Sequence, residues 1–142
     1  MALERIVLDS GYALESIMPS STETQAESLT LLQYLATGEV RAVVPWIFFA
    51  EIAAGCARGV RSRRVDPDDA LEFMQQLPLL GIDMDLKLET AEQMYRDAFH
   101  TGAQAYDSIY LMLAESMDLP VATMDKGMRT AVRSMKLALY KP

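Results

Sequence analysis

AYDSIYLMLAESMDLPVATMDKGM, residues 105–128, is the stretch on which the reading of this chain turns. Its first part carries a helix that opens with a carboxylate, Asp107. Asp118-Leu119-Pro120 is a turn, because proline cannot continue a helix. Val121 to Met124 is a short apolar strand that stops at a second carboxylate, Asp125, and Lys126 opens another helix. A helix-turn-strand unit of this kind delivers one acid from a helix start and one from a strand tip, which suits it to holding a metal ion. Two upstream acids, Asp9 and Glu51, stand where they can join the pair.

Working outward, Arg5 to Leu8 predicts a short buried strand closed by Asp9-Ser10-Gly11. Tyr12 to Ile17 reads as a brief helix. Ser21 or Thr22 can cap the next helix, which runs to about Thr37 and stops at Gly38. Ala42 to Val44 is a second strand, and Pro45 starts a helix from Trp46 to about Arg58, ended by Gly59. Asp66 caps a helix that Pro67 opens and that ends near Gln76. Leu79 to Ile82 is a third strand, Leu86 to His100 a helix, and Leu137 to Tyr140 a final strand. Trp46, Phe48, Phe49 and Cys56 are assigned to packing, and His100 to a helix carboxyl end. Strands alternating with helices predict an α/β fold: one domain over residues 1–142, with a mostly parallel central sheet of about five short strands flanked by helices.

The 142 residues suffice for one domain with a real core, and 51% of them are hydrophobic, which excludes a disordered chain. The longest uncharged apolar run, Ala42 to Ala50, contains Pro45 and is too short to span a bilayer, so no membrane association is expected. No charged start followed by a long apolar segment marks a signal peptide, and a cytoplasmic location is expected. The single cysteine excludes an internal disulfide and a cysteine-based zinc site. A net charge of −7 argues against a protein that coats nucleic acid by bulk charge. It is compatible with a nuclease whose metal-binding acids themselves supply negative charge. Basic residues gather at Arg58, Arg61, Arg63 and Arg64, a face able to contact RNA phosphates.

In an open parallel sheet, ligands bind beyond the carboxyl ends of the strands. Asp9 ends the first strand and Asp125 the fourth, and neighbouring strands would set them side by side. Glu51 lies in the helix after the second strand, and Asp107 near the start of the helix before the fourth. Carboxylates held close repel one another and need a cation to stay ionised together. Hard oxygen donors select Mg²⁺ or Mn²⁺ over zinc or copper. Such an ion activates water and neutralises charge on a phosphate, so no nucleophilic side chain is required. The one histidine, His100, supplies no convincing Ser-His-Asp set.

These residues also resemble a family. Ile-Val-Leu-Asp-Ser at residues 6–10, Pro45 with Glu51 six residues on, Ala-Tyr-Asp-Ser-Ile-Tyr-Leu-x-Leu-Ala-Glu at 105–115 and Val-Ala-Thr-Met-Asp-Lys at 121–126 are similar to the motifs of PIN-domain ribonucleases. The similarity is closest to the VapC-type toxins of toxin-antitoxin pairs, and it covers nearly the whole chain in order. It implies a PIN-like domain in which Asp9, Glu51, Asp107 and Asp125 are the acidic quartet, serving as metal ligands and catalytic groups. It implies that Thr123, two before Asp125, orients ligands or water. It further implies an endoribonuclease dependent on Mg²⁺ or Mn²⁺, acting on RNA, forming a homodimer and held inactive by a cognate VapB-type antitoxin. The chain departs from the family at Gly11, where Ser or Asn is usual; Ser10 or a water is expected to substitute. Two other functions compete: a non-catalytic PIN-like module that binds RNA or a protein, motivated by Gly11, and phosphotransfer through Asp9, which would want an aspartate where Gly11 stands.

Overall fold

The computed structural model describes residues 3–142. Four short strands form one sheet, β1 (Glu4–Leu8), β2 (Val40–Pro45), β3 (Ile82–Asp85) and β4 (Val121–Ala122), in the order β3-β2-β1-β4. Every pairing is parallel, with Val7 opposite both Val43 and Val121. Parallel strands need crossovers, and helices supply them. The helices are α1 (Ser10–Leu14), α2 (Thr22–Thr37), α3 (Phe48–Arg61), α4 (Pro67–Gln76), α5 (Ala91–Thr101), α6 (Ala105–Met117) and α7 (Lys126–Ser134). The central strand β1 carries Ile6, Val7 and Leu8, all fully buried, as expected of a strand covered on both faces.

Local chemistry sets most of the boundaries. Ser21 accepts from the Thr24 amide, Thr24 returns a bond to the Ser21 amide, and Gly38 closes α2 in the left-handed region at φ 81°. The Asp66 carboxylate accepts from the Asp68 amide, and Pro67 occupies the first position of α4. The extents of α4 and α7 match the expectation from sequence.

Five expectations shift, each for a physical reason. The first short helix is Ser10–Leu14, because the amides of Tyr12 and Ala13 bond to the carbonyl of Asp9 immediately after β1. Pro45 ends β2, and α3 continues through Gly59 to Arg61. Gly59 is a packing residue rather than a stop: a Cβ there would lie 2.0 Å from the Met18 sulfur, and one at Gly55 would lie 2.6 Å from Leu14 Cδ1. These two glycines allow α1 and its trailing turn to lie directly against α3. Pro78 holds Leu77–Leu79 in a 3₁₀ turn, so β3 begins at Ile82 instead of Leu79. Helix α5 begins only where the Thr90 hydroxyl accepts from the Gln93 amide, leaving Leu86 and Leu88 exposed in an irregular segment. The expected fifth strand, Leu137 to Tyr140, reduces to a single bridge between Leu139 and Val121, because β4 is only two residues long. Of the aromatic residues assigned to packing, Phe48 is fully buried and Phe49 packs against it edge to face, whereas Trp46 is partly exposed. Cys56 is buried, and burial pushes its thiol upward.

Candidate functional site

The parallel β1–β4 pairing sets the first and last acids of the chain beside each other. The Asp9 amide donates to the Ala122 carbonyl at 3.0 Å, which locks the end of β1 to the end of β4. Asp9 follows β1 directly; Asp125 follows β4 after Thr123 and Met124. Thr123, almost wholly buried, joins the two: its hydroxyl donates to Asp9 Oδ2 at 2.9 Å and accepts from the Asp125 amide at 3.1 Å. The place that the motif reserved for a supporting threonine is therefore a bridge between two acids. Its backbone carbonyl accepts from Arg129 Nε at 2.9 Å.

Glu51 reaches the same edge from the first turn of α3, and Asp107 from the first turn of α6. Glu51 Oε1 accepts from the Tyr110 hydroxyl at 2.6 Å and, at 3.3 Å, from Ser10 Oγ. Tyr110 lies three residues after Asp107, so both belong to one face of α6. Sequence reasoning missed it as a site residue. The available signal was the tyrosine one helical turn beyond a motif aspartate, and it was masked because Tyr110 is also core, 1% exposed. Ser10, the residue expected to substitute for a side chain at Gly11, reaches Glu51 through this 3.3 Å bond.

The electrostatics tie these acids together. Burial pushes the Asp9 carboxyl up to about 6; the Thr123 hydroxyl partly opposes this, and the charges of Asp107 and Glu51 add to the rise. Asp107 is also raised, first by burial and then by Asp125 and Glu51. Acids contributed by four separate segments thus feel one another across the carboxyl end of the sheet. A divalent cation would relieve that repulsion, and the donors are the hard oxygens that Mg²⁺ or Mn²⁺ takes.

In charge and donor type, then, the residues fit such an ion. Their side chains do not converge as they lie: among the described residues no three of His, Cys, Asp and Glu form a ligand cluster. The reason is visible in the partners. Glu51 is held by Tyr110 and Ser10, and Asp125 Oδ2 accepts from the Met128 amide at 2.7 Å as the cap of α7. Each of the two carboxylates uses a single oxygen in these bonds, Oε1 of Glu51 and Oδ2 of Asp125.

Two open cavities adjoin the acids. One, of about 320 Å³, is lined by Gly102, Ala103, Gln104, Asp107, Asp125 and Gly127. The other, of about 690 Å³, has Gly11, Gly55 and Gly59 along it and Arg58, Arg61 and Arg64 among its lining residues. The expected cluster of four arginines is divided: Arg63, left-handed at φ 60°, lies with Val65 and Pro67 in a separate depression of which Arg64 is also part. His100 sits in the last turn of α5 and pairs with Glu115 at 3.2 Å, matching the helix-end role expected of it.

No protein-family model and no curated protein matches this chain. Solved structures do. The structure of PAE2754 from Pyrobaculum aerophilum is similar over 92% of this chain and 86% of its own, with a TM-score of 0.67 at 19% identity. That of FitAcB from Neisseria gonorrhoeae is similar over 95% of this chain and 96% of its own, with a TM-score of 0.59 at 23% identity. These likenesses bear on architecture. With the parallel sheet and its flanking helices, they establish the α/β, PIN-like fold expected from the motifs.

Proposed function

We propose that this protein is a metal-dependent endoribonuclease of the VapC toxin type, hydrolysing RNA phosphodiester bonds at Asp9, Glu51, Asp107 and Asp125. One observation carries the reading: acids from four separate segments lie at the carboxyl edge of a PIN-like sheet, near enough that neighbouring charges add to the rise that burial gives Asp9 and Asp107. When bound, Mg²⁺ or Mn²⁺ supplies Lewis acidity toward a phosphate and a more acidic water. The chain's own residues hold the geometry. Thr123 fixes the Asp9 carboxylate and the Asp125 backbone in register. Tyr110 and Ser10 aim Glu51 from α6 and α1. Asp9 is nearly buried and Asp125 is exposed, so a substrate phosphate would approach from the Asp125 side. The motif resemblance extends the proposal to a cognate VapB-type antitoxin, a homodimer and a cytoplasmic setting. Among the described residues no helix is long and apolar enough to cross a membrane.

The test is cleavage of a mixed RNA pool with Mn²⁺, with Mg²⁺ and with chelator, wild type beside Asp125→Asn. Discrete products that require metal, and that fall by roughly 100-fold in the variant, are the expected outcome. A second reading, a PIN-like module that binds RNA or a protein without cutting, is favoured by the engagement of Glu51 and Asp125 with protein donors. Folded wild type that binds RNA and yields no product with either metal would select that reading.

A further inference from the structure

The cavity of about 690 Å³ beside Gly11 shares a wall with the acidic site. Gly11 lines it, and a Cβ placed on Gly11 would stand 3.6 Å from Asp9 Oδ2. Helix α3 runs from one to the other: Glu51 is at its acidic end, Gly55 is one turn on, and Arg58, Gly59 and Arg61 follow. At 1.5 Å per residue, Arg58 and Arg61 lie roughly 10 and 15 Å along the axis from Glu51.

Its charges are unspent. Among the described residues the ion pairs are Arg41–Asp83, Arg96–Glu92 and His100–Glu115, and none involves Arg58, Arg61 or Arg64. A chain with seven more negative than positive charges nonetheless leaves three exposed arginines side by side with no carboxylate in ion-pair contact, although the charge of Arg64 is felt by Glu15. The acid that shares their cavity, Glu15, is already satisfied. It accepts from the Ser20 amide and hydroxyl, both at 2.6 Å, and from Thr24 Oγ1 at 2.8 Å. Arg64, an exposed side chain, is steadied by a bond from Nη2 to the Met18 carbonyl at 3.2 Å, which uses one of its five N–H groups.

We infer that this cavity is a backbone-phosphate subsite, in which Arg58, Arg61 and Arg64 hold single-stranded RNA a few nucleotides from the bond lying over Asp9 and Asp107. The inference rests on the ribonuclease reading and gives the substrate its path: along α3, over Gly11, into the acids. Arginine suits the task, since its planar fork takes two phosphate oxygens at once. Arg58 and Arg61 lie along α3 and Arg64 just beyond its end, a single row that suits one strand better than a duplex. The mouth is open and its lining is mixed, with Leu14 and Met18 beside the arginines; an acidic peptide is therefore the competing occupant, and the test separates it.

Binding of a fluorescein-labelled single-stranded RNA is read by anisotropy in chelator, across a salt titration. The proteins compared are wild type, Arg58→Gln/Arg61→Gln/Arg64→Gln, and a control with equal charge loss far from the cavity, Arg133→Gln/Lys136→Gln/Lys141→Gln. All six side chains are exposed, so the variants are expected to melt with wild type. The cavity variant should bind about tenfold or more weakly, with the slope of log K against log salt shallower by about 2, while the control stays near wild type. Equal weakening in both variants, no weakening in the cavity variant, or no RNA binding by wild type would overturn the subsite. So would poly-glutamate binding that depends on the three arginines and excludes RNA. Because chelator stops metal chemistry, the result is independent of cleavage: absent products with arginine-dependent binding would count against the nuclease reading alone, and metal-dependent cleavage undiminished in the cavity variant would count against the subsite alone.

Discussion

The chain makes the junction strand, aspartate, helix twice, and the two junctions behave differently. Asp9 occupies the capping position of α1 yet makes no side-chain cap; its carboxylate is nearly buried and turned to Thr123. Asp125 occupies the capping position of α7, does cap it through the Met128 amide, and is exposed. Local chemistry explains the second aspartate fully. It does not explain the first, which carries a buried charge at a site where a neutral residue would be more comfortable. An acid kept against its own solvation is the mark of a functional position, and one that also caps a helix has a structural reason to persist.

The contrast can be broken most directly at Asp9. Its carboxyl titrates near 6 in the folded protein, against 3.8 ordinarily. The folded state therefore holds the proton more tightly, and the stability this confers is complete below about 3.8 and is lost as pH rises through about 6. In chelator, Asp9→Asn should then be more stable than wild type at pH 7.5 by up to about 3 kcal/mol, with the gain vanishing toward pH 4. Urea denaturation at the two pH values checks this, and a destabilised variant at pH 7.5 would show that Asp9 is structural after all. Thr123→Val comes next. It removes the donor that partly restrains Asp9 and the acceptor for the Asp125 amide, at about 1–3 kcal/mol. Its carboxyl resonances should place Asp9 above about 6.

Asp125 sharpens the same comparison with smaller effects. Asp125→Ala removes the cap and should lower stability by about 1 kcal/mol. Asp125→Asn keeps a capping oxygen and should hold stability within a few tenths of a kcal/mol while still losing metal-dependent cleavage. If Ala and Asn melt alike, the cap contributes nothing and the two aspartates are less distinct than their surroundings suggest.

Much of the fold was legible in the residues because its signals are local. Asp66-Pro67 and Asp125-Lys126 mark helix starts in two residues each, and the Ile-Val-Leu run of β1 can only be a buried strand. What was misread depended on contacts distant in sequence. Nothing near Gly59 says that Met18 will press against it, so a packing glycine looked like a helix stop. The β3 register followed from Pro78 and from pairing with β2, which a window of neighbouring residues does not contain. At the site, the four acids were found by their order along the chain, whereas Tyr110 is defined only by what it reaches, Glu51, 59 residues away. The same limit divided the arginine cluster: spacing placed Arg63 with the others, and the left-handed backbone at that residue sets it apart.

The bond from Thr123 to Asp9 spans 114 positions. During synthesis, at roughly 5–20 residues per second, the first acid leaves the ribosome long before the strand that will hold it. Strand β1 can pair with β2 early, but its other edge stays open until β4 arrives. The acidic site therefore cannot assemble before β4 is made, and until then a nascent chain carries Asp9 without the partner that positions it. For a protein whose proposed target is RNA, made on a machine built of RNA, the site stays incomplete for as long as β4 has not been made.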